Sequence, residues 1–223
     1  MNTLWHIFWT YVIFRRKKYY WKPLVFAFIP DMTTLAIFAA SLLTNGSDWS
    51  LFHDMFTQYY KGLLIIPSFF HSLAVIMLMS IIIWLTKLKS AWPFIYGWAF
   101  HVILDAATHA NDSLPIFWPL SSYVFKSAFS YWETSHLAAE VNILNMALAS
   151  IAIVIMAKDA INKRFEAWFM VFILIGSIAS FLFLYAAHGM NSVSLIAVNV
   201  ITIGVIIYFL ARHGKSLSNA SMN

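Results

Sequence analysis

Long apolar runs, separated by short polar or basic stretches, dominate the chain and set the elements it predicts. A helix needs roughly 20 apolar residues to cross a bilayer. Runs of about that length occur at 23–43, 62–86, 91–109, 135–157, 166–187 and 193–211. The pattern therefore predicts an all-α protein, a polytopic membrane bundle of about six transmembrane helices. Residues 1–14 are apolar and aromatic but too short to span, and no small-residue cleavage site follows them. An N-terminal interfacial helix is expected there rather than a removable signal. Three regions result: 1–22 as interfacial helix and basic segment, 23–157 as the domain holding the buried polar residues, and 158–223 as a structural helix pair with a tail.

Composition agrees with a membrane setting. Of 223 residues 61% are hydrophobic and 10% charged, against about 25% charged in a typical soluble domain. The mean hydropathy is +0.75. The net charge of +5 raises the question of nucleic acid, but the distribution of basic residues answers it. Arg15, Arg16, Lys17, Lys18 and Lys22 form one cluster, Lys87 and Lys89 a second, Lys158, Lys163 and Arg164 a third, Arg212 and Lys215 a fourth. These lie on alternate sides of the apolar runs, and only Lys61 and Lys126 fall elsewhere. That is the positive-inside pattern, and it sets orientation rather than marking a nucleic-acid footprint. It predicts cytoplasmic termini, with the loops 44–61, 110–134 and 188–192 outside, in a bacterial inner membrane. The chain has no cysteine, so disulfides, thiolate metal sites and a cysteine nucleophile are excluded.

Against this background the polar residues inside the runs stand out. His101, Asp105 and His109 follow one another at four-residue intervals, and His136 and Glu140 repeat the interval in the next run. On a helix such residues share one face. Asp31 and His71 add a carboxylate and an imidazole at comparable depth in two further runs. Ionisable groups in a bilayer are costly and are kept where they have partners. Imidazoles and carboxylates aimed together are the ligand chemistry of a divalent metal. The expected ligands are His71, His101, Asp105, His109, His136, Glu140 and Asp31, with His53 and Asp54 available from the outer loop.

Each of these residues has a blander reading. A lone transmembrane histidine such as His71 commonly hydrogen-bonds between helices. Asp31, following Pro30, fits a helix cap. His136 and Glu140 fit an ordinary interfacial pair. His6 and His213 are expected to be solvated and His188 structural. Asp112 and Glu133 read as solvated loop acids, while Asp159 and Glu166 fall on the cytoplasmic side. Gly176, Ser177 and Ser180 are small residues suited to helix packing.

The run HVILDAATHANDSLPIFWPLSSYVFKSAFSYW resembles the H-x-x-x-D-x-x-T-H…F-W-P-L-S signature of the YdjM-like family of membrane-bound metal-dependent hydrolases. Pro30-Asp31 and His71-Ser72 resemble that family's Pro-Asp and His-Ser elements, so the likeness covers roughly residues 25 to 145. The family is in turn similar to the zinc-dependent phospholipase C and single-strand nuclease superfamily. The likeness implies a ligand order of Asp31 or Asp54, His71, His101 with Asp105, His109, and His136 with Glu140, holding one to three zinc ions.

The resulting expectation is hydrolysis by a zinc-activated water near the outer face, acting on a phosphoester or lipid-linked substrate. A bound zinc lowers the pKa of its water to about 7. Asp105 is the expected bridging carboxylate, Asp31 or Asp54 a base or ligand, and Ser72 and Thr108 groups that orient the ligands. Two other readings remain. His71 and His101, at similar depth in their runs, also suit axial ligation of a haem, and an Asp/Glu/His path is also the mark of an ion or proton transporter. The haem reading leaves Asp105 and Glu140 without a role. The transporter reading lacks a polar continuation toward the cytoplasm.

Overall fold

The computed structural model describes residues 3–45, 65–131, 133–158, 163–188, 204, 205 and 208. Their regular elements are helices: α1 (Thr3–Phe14), α2 (Trp21–Asn45), α3 (Ile65–Phe70), α4 (Leu73–Leu85), α5 (Trp92–Thr108), α6 (Ala138–Lys158) and α7 (Lys163–His188). Short 3₁₀ turns precede α5 (Lys89–Ala91) and α6 (Thr134–His136). The chain divides into two compact units, Met1–Ser130 and Tyr131–Asn223.

The expected spans are realised unevenly. One described helix, Ala138–Met156, is long and apolar enough to cross a bilayer by length and composition. The expected 62–86 span is not one helix. It breaks at His71-Ser72, where Ser72 turns extended (φ −101°, ψ 123°) and caps α4. The 13 residues of α4 reach about 20 Å at 1.5 Å per residue, short of the roughly 30 Å hydrocarbon core. Most of the expected 193–211 span lies outside the described residues, as do His53 and Asp54. A six-span bundle is thus not supported as expected, although the all-helical class is.

Within the first unit, α2 packs along α5 in parallel, and the two helices meet at matching four-residue steps. Gly97 faces Pro23 so closely that a Cβ there would lie 2.1 Å from the Pro23 carbonyl oxygen. One turn on, the His101 imidazole reaches the Ala27 carbonyl. One further turn brings Asp31 beside His101. α2 runs through Pro30, so Asp31 lies inside a helix and does not cap one. Between α4 and α5, Val75, Ile76 and Ile83 pack on Ile95, Trp98 and Val102. Trp98 also donates from Nε1 to the Phe70 carbonyl, fixing the end of α3 next to His71.

The N-terminal helix is built into this unit. α1 packs on α2 and α5 with Trp5, His6, Phe8, Thr10 and Tyr11 buried. His6 is 0% exposed, which overturns its expected solvated placement: an aromatic helix face seals the imidazole against α5. After α5 the described chain is non-helical from 109 to 133, as Pro115 and Pro119 require in part.

The second unit, taken by itself, carries buried stripes at helical spacing. Met146, Ala149, Ile153 and Met156 mark α6, and Ala167, Met170 and Ile173 mark α7. Leu137 is left-handed (φ 59°) and separates the 3₁₀ turn holding His136 from α6.

Candidate metal centre

Three segments of the first unit deliver four side chains to one point. Asp31 comes from α2, His71 from the break between α3 and α4, and His101 and Asp105 from α5. One ligand atom from each lies within 4.8 Å of all the others. The Nε2 atoms of His71 and His101 are 3.3 Å apart. Asp105 Oδ2 is 3.3 Å from the first and 3.2 Å from the second. Asp31 Oδ1 is 3.7 and 3.5 Å from the same two nitrogens. A tetrahedral ion with bonds of about 2.0–2.1 Å separates its ligands by about 3.3 Å. The spacing therefore fits four ligands around one cation.

The protonation pattern gives the cluster its chemistry. His71 Nδ1 donates to the Pro67 carbonyl at 2.8 Å, and His101 Nδ1 donates to the Ala27 carbonyl at 3.0 Å. In neutral imidazoles this places the proton on Nδ1 and leaves Nε2 as a lone pair. The two Nε2 atoms then face each other and two carboxylate oxygens, a set that either protons shared with the carboxylates or one cation at its centre satisfies. Asp31 Oδ2 is buried without a hydrogen-bond partner, which adds to the demand for positive charge.

Axial ligands of one haem iron stand about 4 Å apart, twice a metal–nitrogen bond of about 2.0 Å, with the ring between them. Here the nitrogens are closer, and carboxylates occupy the space a macrocycle would fill. The cluster does not fit a haem bridged by His71 and His101.

His109, Ser72 and Thr108 take different places from one another. His109 Nε2 lies 3.1 Å from Asp105 Oδ1, and its Nδ1 pairs with Asp112. Asp112 was expected to be solvated, yet it sits at the end of α5 as the carboxylate that orients His109. Burial alone would raise the Asp112 carboxyl, but its hydrogen bond with His109 and that ring's charge hold it below the usual carboxylate range. Thr108 Oγ1 donates to Leu104 within its own helix. Ser72 caps α4 by accepting from the Val75 amide and donates to the Trp118 carbonyl, while the Leu73 amide donates to the Ile116 carbonyl. The Phe117-Trp118-Pro119 strap is thereby tied to the break that presents His71. Ser72→Ala removes a cap and leaves the Trp118 carbonyl without this donor, an expected loss of about 2 kcal/mol. Thermal unfolding of the variant, followed by circular dichroism, checks it.

His136 and Glu140 belong to the second unit. Leu137 interrupts the helix between them, so the four-residue interval does not put them on one continuous helical face. His136 Nδ1 lies 3.4 Å from Glu133, and Glu140 is exposed in the first turn of α6, where a carboxylate suits the helix dipole. Among the described residues no group of three or more potential ligands includes either.

Sequence reasoning missed His6. Its Nε2 lies 2.8 Å from Asp105 Oδ1, and its ring stacks on His101 with centroids 3.9 Å apart. Burial, helped by His101, pushes the His6 imidazole down to about 4, so it is neutral at pH 7. The available signal was a single imidazole within an otherwise aromatic and aliphatic helix.

No protein-family model, curated protein or solved structure matches the chain. The likeness to the YdjM-like hydrolases therefore stands on the motif residues alone.

Proposed function

We propose that this chain is a membrane-embedded, metal-dependent hydrolase of phosphoester or lipid-linked substrates. The observation that carries the metal is the convergence of two Nε2 atoms and two carboxylate oxygens, with both Nδ1 atoms already committed to main-chain carbonyls. The cysteine-free nitrogen and oxygen donor set suits zinc or a similar divalent ion. A divalent cation held there supplies Lewis acidity, polarising a phosphoryl or carbonyl oxygen and acidifying a water. The chain's own residues orient the ligands: the Pro67 and Ala27 carbonyls hold the two imidazoles, and Asp31 and Asp105 supply the negative charge.

Two observations support placing the site in a membrane. Met77, Leu78, Ile81, Ile82, Trp84 and Leu85 leave a broad apolar face of α4 exposed, which water disfavours and lipid accepts. The basic clusters follow the positive-inside pattern, which supports a cytoplasmic Arg15–Lys22 segment and a site toward the outer face. His6 beside Asp105 sets the start of α1 at the level of the site, which does not fit the expected cytoplasmic N-terminus. A site at lipid depth, in turn, suits a lipid or lipid-linked ester. The H-x-x-x-D-x-x-T-H likeness supplies the hydrolytic reaction class.

Elemental analysis of the detergent-purified full-length protein tests the proposal. Wild type is expected to retain a stoichiometric divalent metal and His101→Ala to lose most of it, with zinc-dependent, chelator-sensitive hydrolysis of a chromogenic phosphodiester in wild type alone. A wild-type protein that stays metal-free after zinc loading overturns the metal centre. A metal-loaded protein inert toward phosphodiesters and phospholipid vesicles overturns the hydrolase.

A further inference from the structure

The connection between α4 and α5 sets two lysines on a tightly specified backbone. α4 ends in a Schellman motif, in which the Leu88 amide donates to the Ile83 carbonyl and the Lys87 amide to the Trp84 carbonyl. The left-handed position of that motif, which favours glycine, is Lys87 (φ 58°). Leu88 (φ −75°, ψ 64°) then centres an inverse γ-turn, closed by the Lys89 amide on the Lys87 carbonyl. The two turns bring Lys87 and Lys89 to one cleft of about 460 Å³, lined otherwise by Ile83, Trp84, Leu85 and Trp92. We propose that this cleft binds the phosphate of an anionic glycerophospholipid, with the acyl chains lying along the exposed face of α4. The inference rests on the membrane placement proposed above and is independent of the metal.

Charge is the first argument. No residue from 55 to 104 is acidic, and among the described residues neither Lys87 nor Lys89 pairs with a carboxylate. A third ammonium is tied to the same turn, since Lys22 donates to the Ser90 carbonyl at 2.9 Å. Basic pockets at the cytoplasmic ends of membrane helices hold anionic headgroups in this way. Continuity is the second argument. Trp84 and Leu85 line the cleft and also belong to the exposed apolar face with Met77, Leu78, Ile81 and Ile82. A free anion would use the lysines and leave that wall uncovered, whereas a lipid covers both. Backbone fit is the third. Glycine takes a left-handed conformation without steric cost, so a lysine at that position keeps a charge at the expense of the turn.

The simpler alternative is that Lys87 and Lys89 only set orientation and complement the α4 dipole. That role needs positive charge but no headgroup selectivity. From Trp92 to Asp105 α5 rises about 20 Å at 1.5 Å per residue, so substitutions in the cleft leave the metal cluster in place.

Native mass spectrometry of the full-length detergent-purified protein, given equal amounts of phosphatidylglycerol and phosphatidylcholine with the same acyl chains, tests the site. Wild type is expected to retain phosphatidylglycerol about 30-fold over phosphatidylcholine at low salt, and Lys87→Gly and Lys89→Gln each to lower that ratio about fivefold. Lys87→Gly should at the same time raise the unfolding temperature, because glycine relieves the left-handed backbone. Zinc content should match wild type in both variants. Equal retention of the two lipids by wild type overturns the headgroup site and leaves the membrane placement intact, whereas retention of neither overturns both. An unchanged ratio in the two variants overturns the assignment to this cleft. Displacement of phosphatidylglycerol by millimolar inorganic phosphate overturns the lipid in favour of a free anion.

Discussion

Asp105→Asn is expected to empty the centre and silence hydrolysis together. The substitution keeps the shape of the side chain but replaces one oxygen with an amide NH₂, which donates hydrogen bonds and offers no lone pair to a cation. Both carboxylate oxygens are engaged, Oδ2 toward His71 and His101 and Oδ1 toward His6 and His109. Either orientation of the amide therefore turns a donor toward two imidazoles, and the formal charge is lost as well. Removing groups that merely orient ligands costs 10–100-fold in affinity, so losing this shared ligand should cost about 100-fold or more. Zinc content after dialysis and turnover of a chromogenic phosphodiester measure the two effects, with circular dichroism confirming that the helices persist. Wild-type zinc content in the variant overturns the assignment.

Gly97→Ala tests the packing that assembles the centre. Considered as helix chemistry alone, the change should stabilise α5 by about 1 kcal/mol, since alanine is the better helix former. Packing demands the opposite sign. The new Cβ would lie 2.1 Å from the Pro23 carbonyl oxygen and 2.6 Å from its Cα, and main-chain atoms cannot swing aside as a side chain would. α2 and α5 must therefore separate, and overpacking of this kind costs typically 1–3 kcal/mol. The same displacement carries Ala27 and Asp31 away from His101, although Gly97 touches no ligand. Metal sites tolerate bond deviations of only about 0.2 Å, so zinc affinity should fall by about tenfold or more. Isothermal titration with zinc and thermal unfolding read out the pair of effects. A variant more stable than wild type with undiminished affinity sinks the close-approach account.

How much of this was legible in the sequence follows from the reach of each signal. The apolar runs announced helices, and the spacing of His101 and Asp105 put two polar groups on one side of α5, because intervals within a helix are readable from sequence; His109 falls just past the helix end, with an extended backbone. Asp31 and His71 were recognisable as polar residues in apolar runs, but their meeting with α5 depends on the step-for-step match of α2 and α5, which no local pattern encodes. His6 was misjudged for the same reason, its partner lying at the far end of α5 in sequence. Asp112 was nearer to hand, three residues past His109, and was overlooked because a loop acid is ordinarily solvated. His136 and Glu140 fail as a facing pair because Leu137 adopts a left-handed backbone that hydrophobicity does not report. The break at His71-Ser72 escaped notice because apolar residues resume on both sides of it, while the Ser72 hydroxyl and the Ile116 and Trp118 carbonyls supply the hydrogen bonds that make a helix end possible there.

The grip on His71 and His101 comes from the carbonyls of Pro67 and Ala27, groups every amino acid carries. The rotation of each imidazole is thus a property of the helix path and is indifferent to side-chain chemistry at positions 27 and 67. What those positions must satisfy is size, since Ala27 is 0% exposed, and the ability to hold the local backbone in place. The orienting half of the centre is consequently invisible to any search for polar residues.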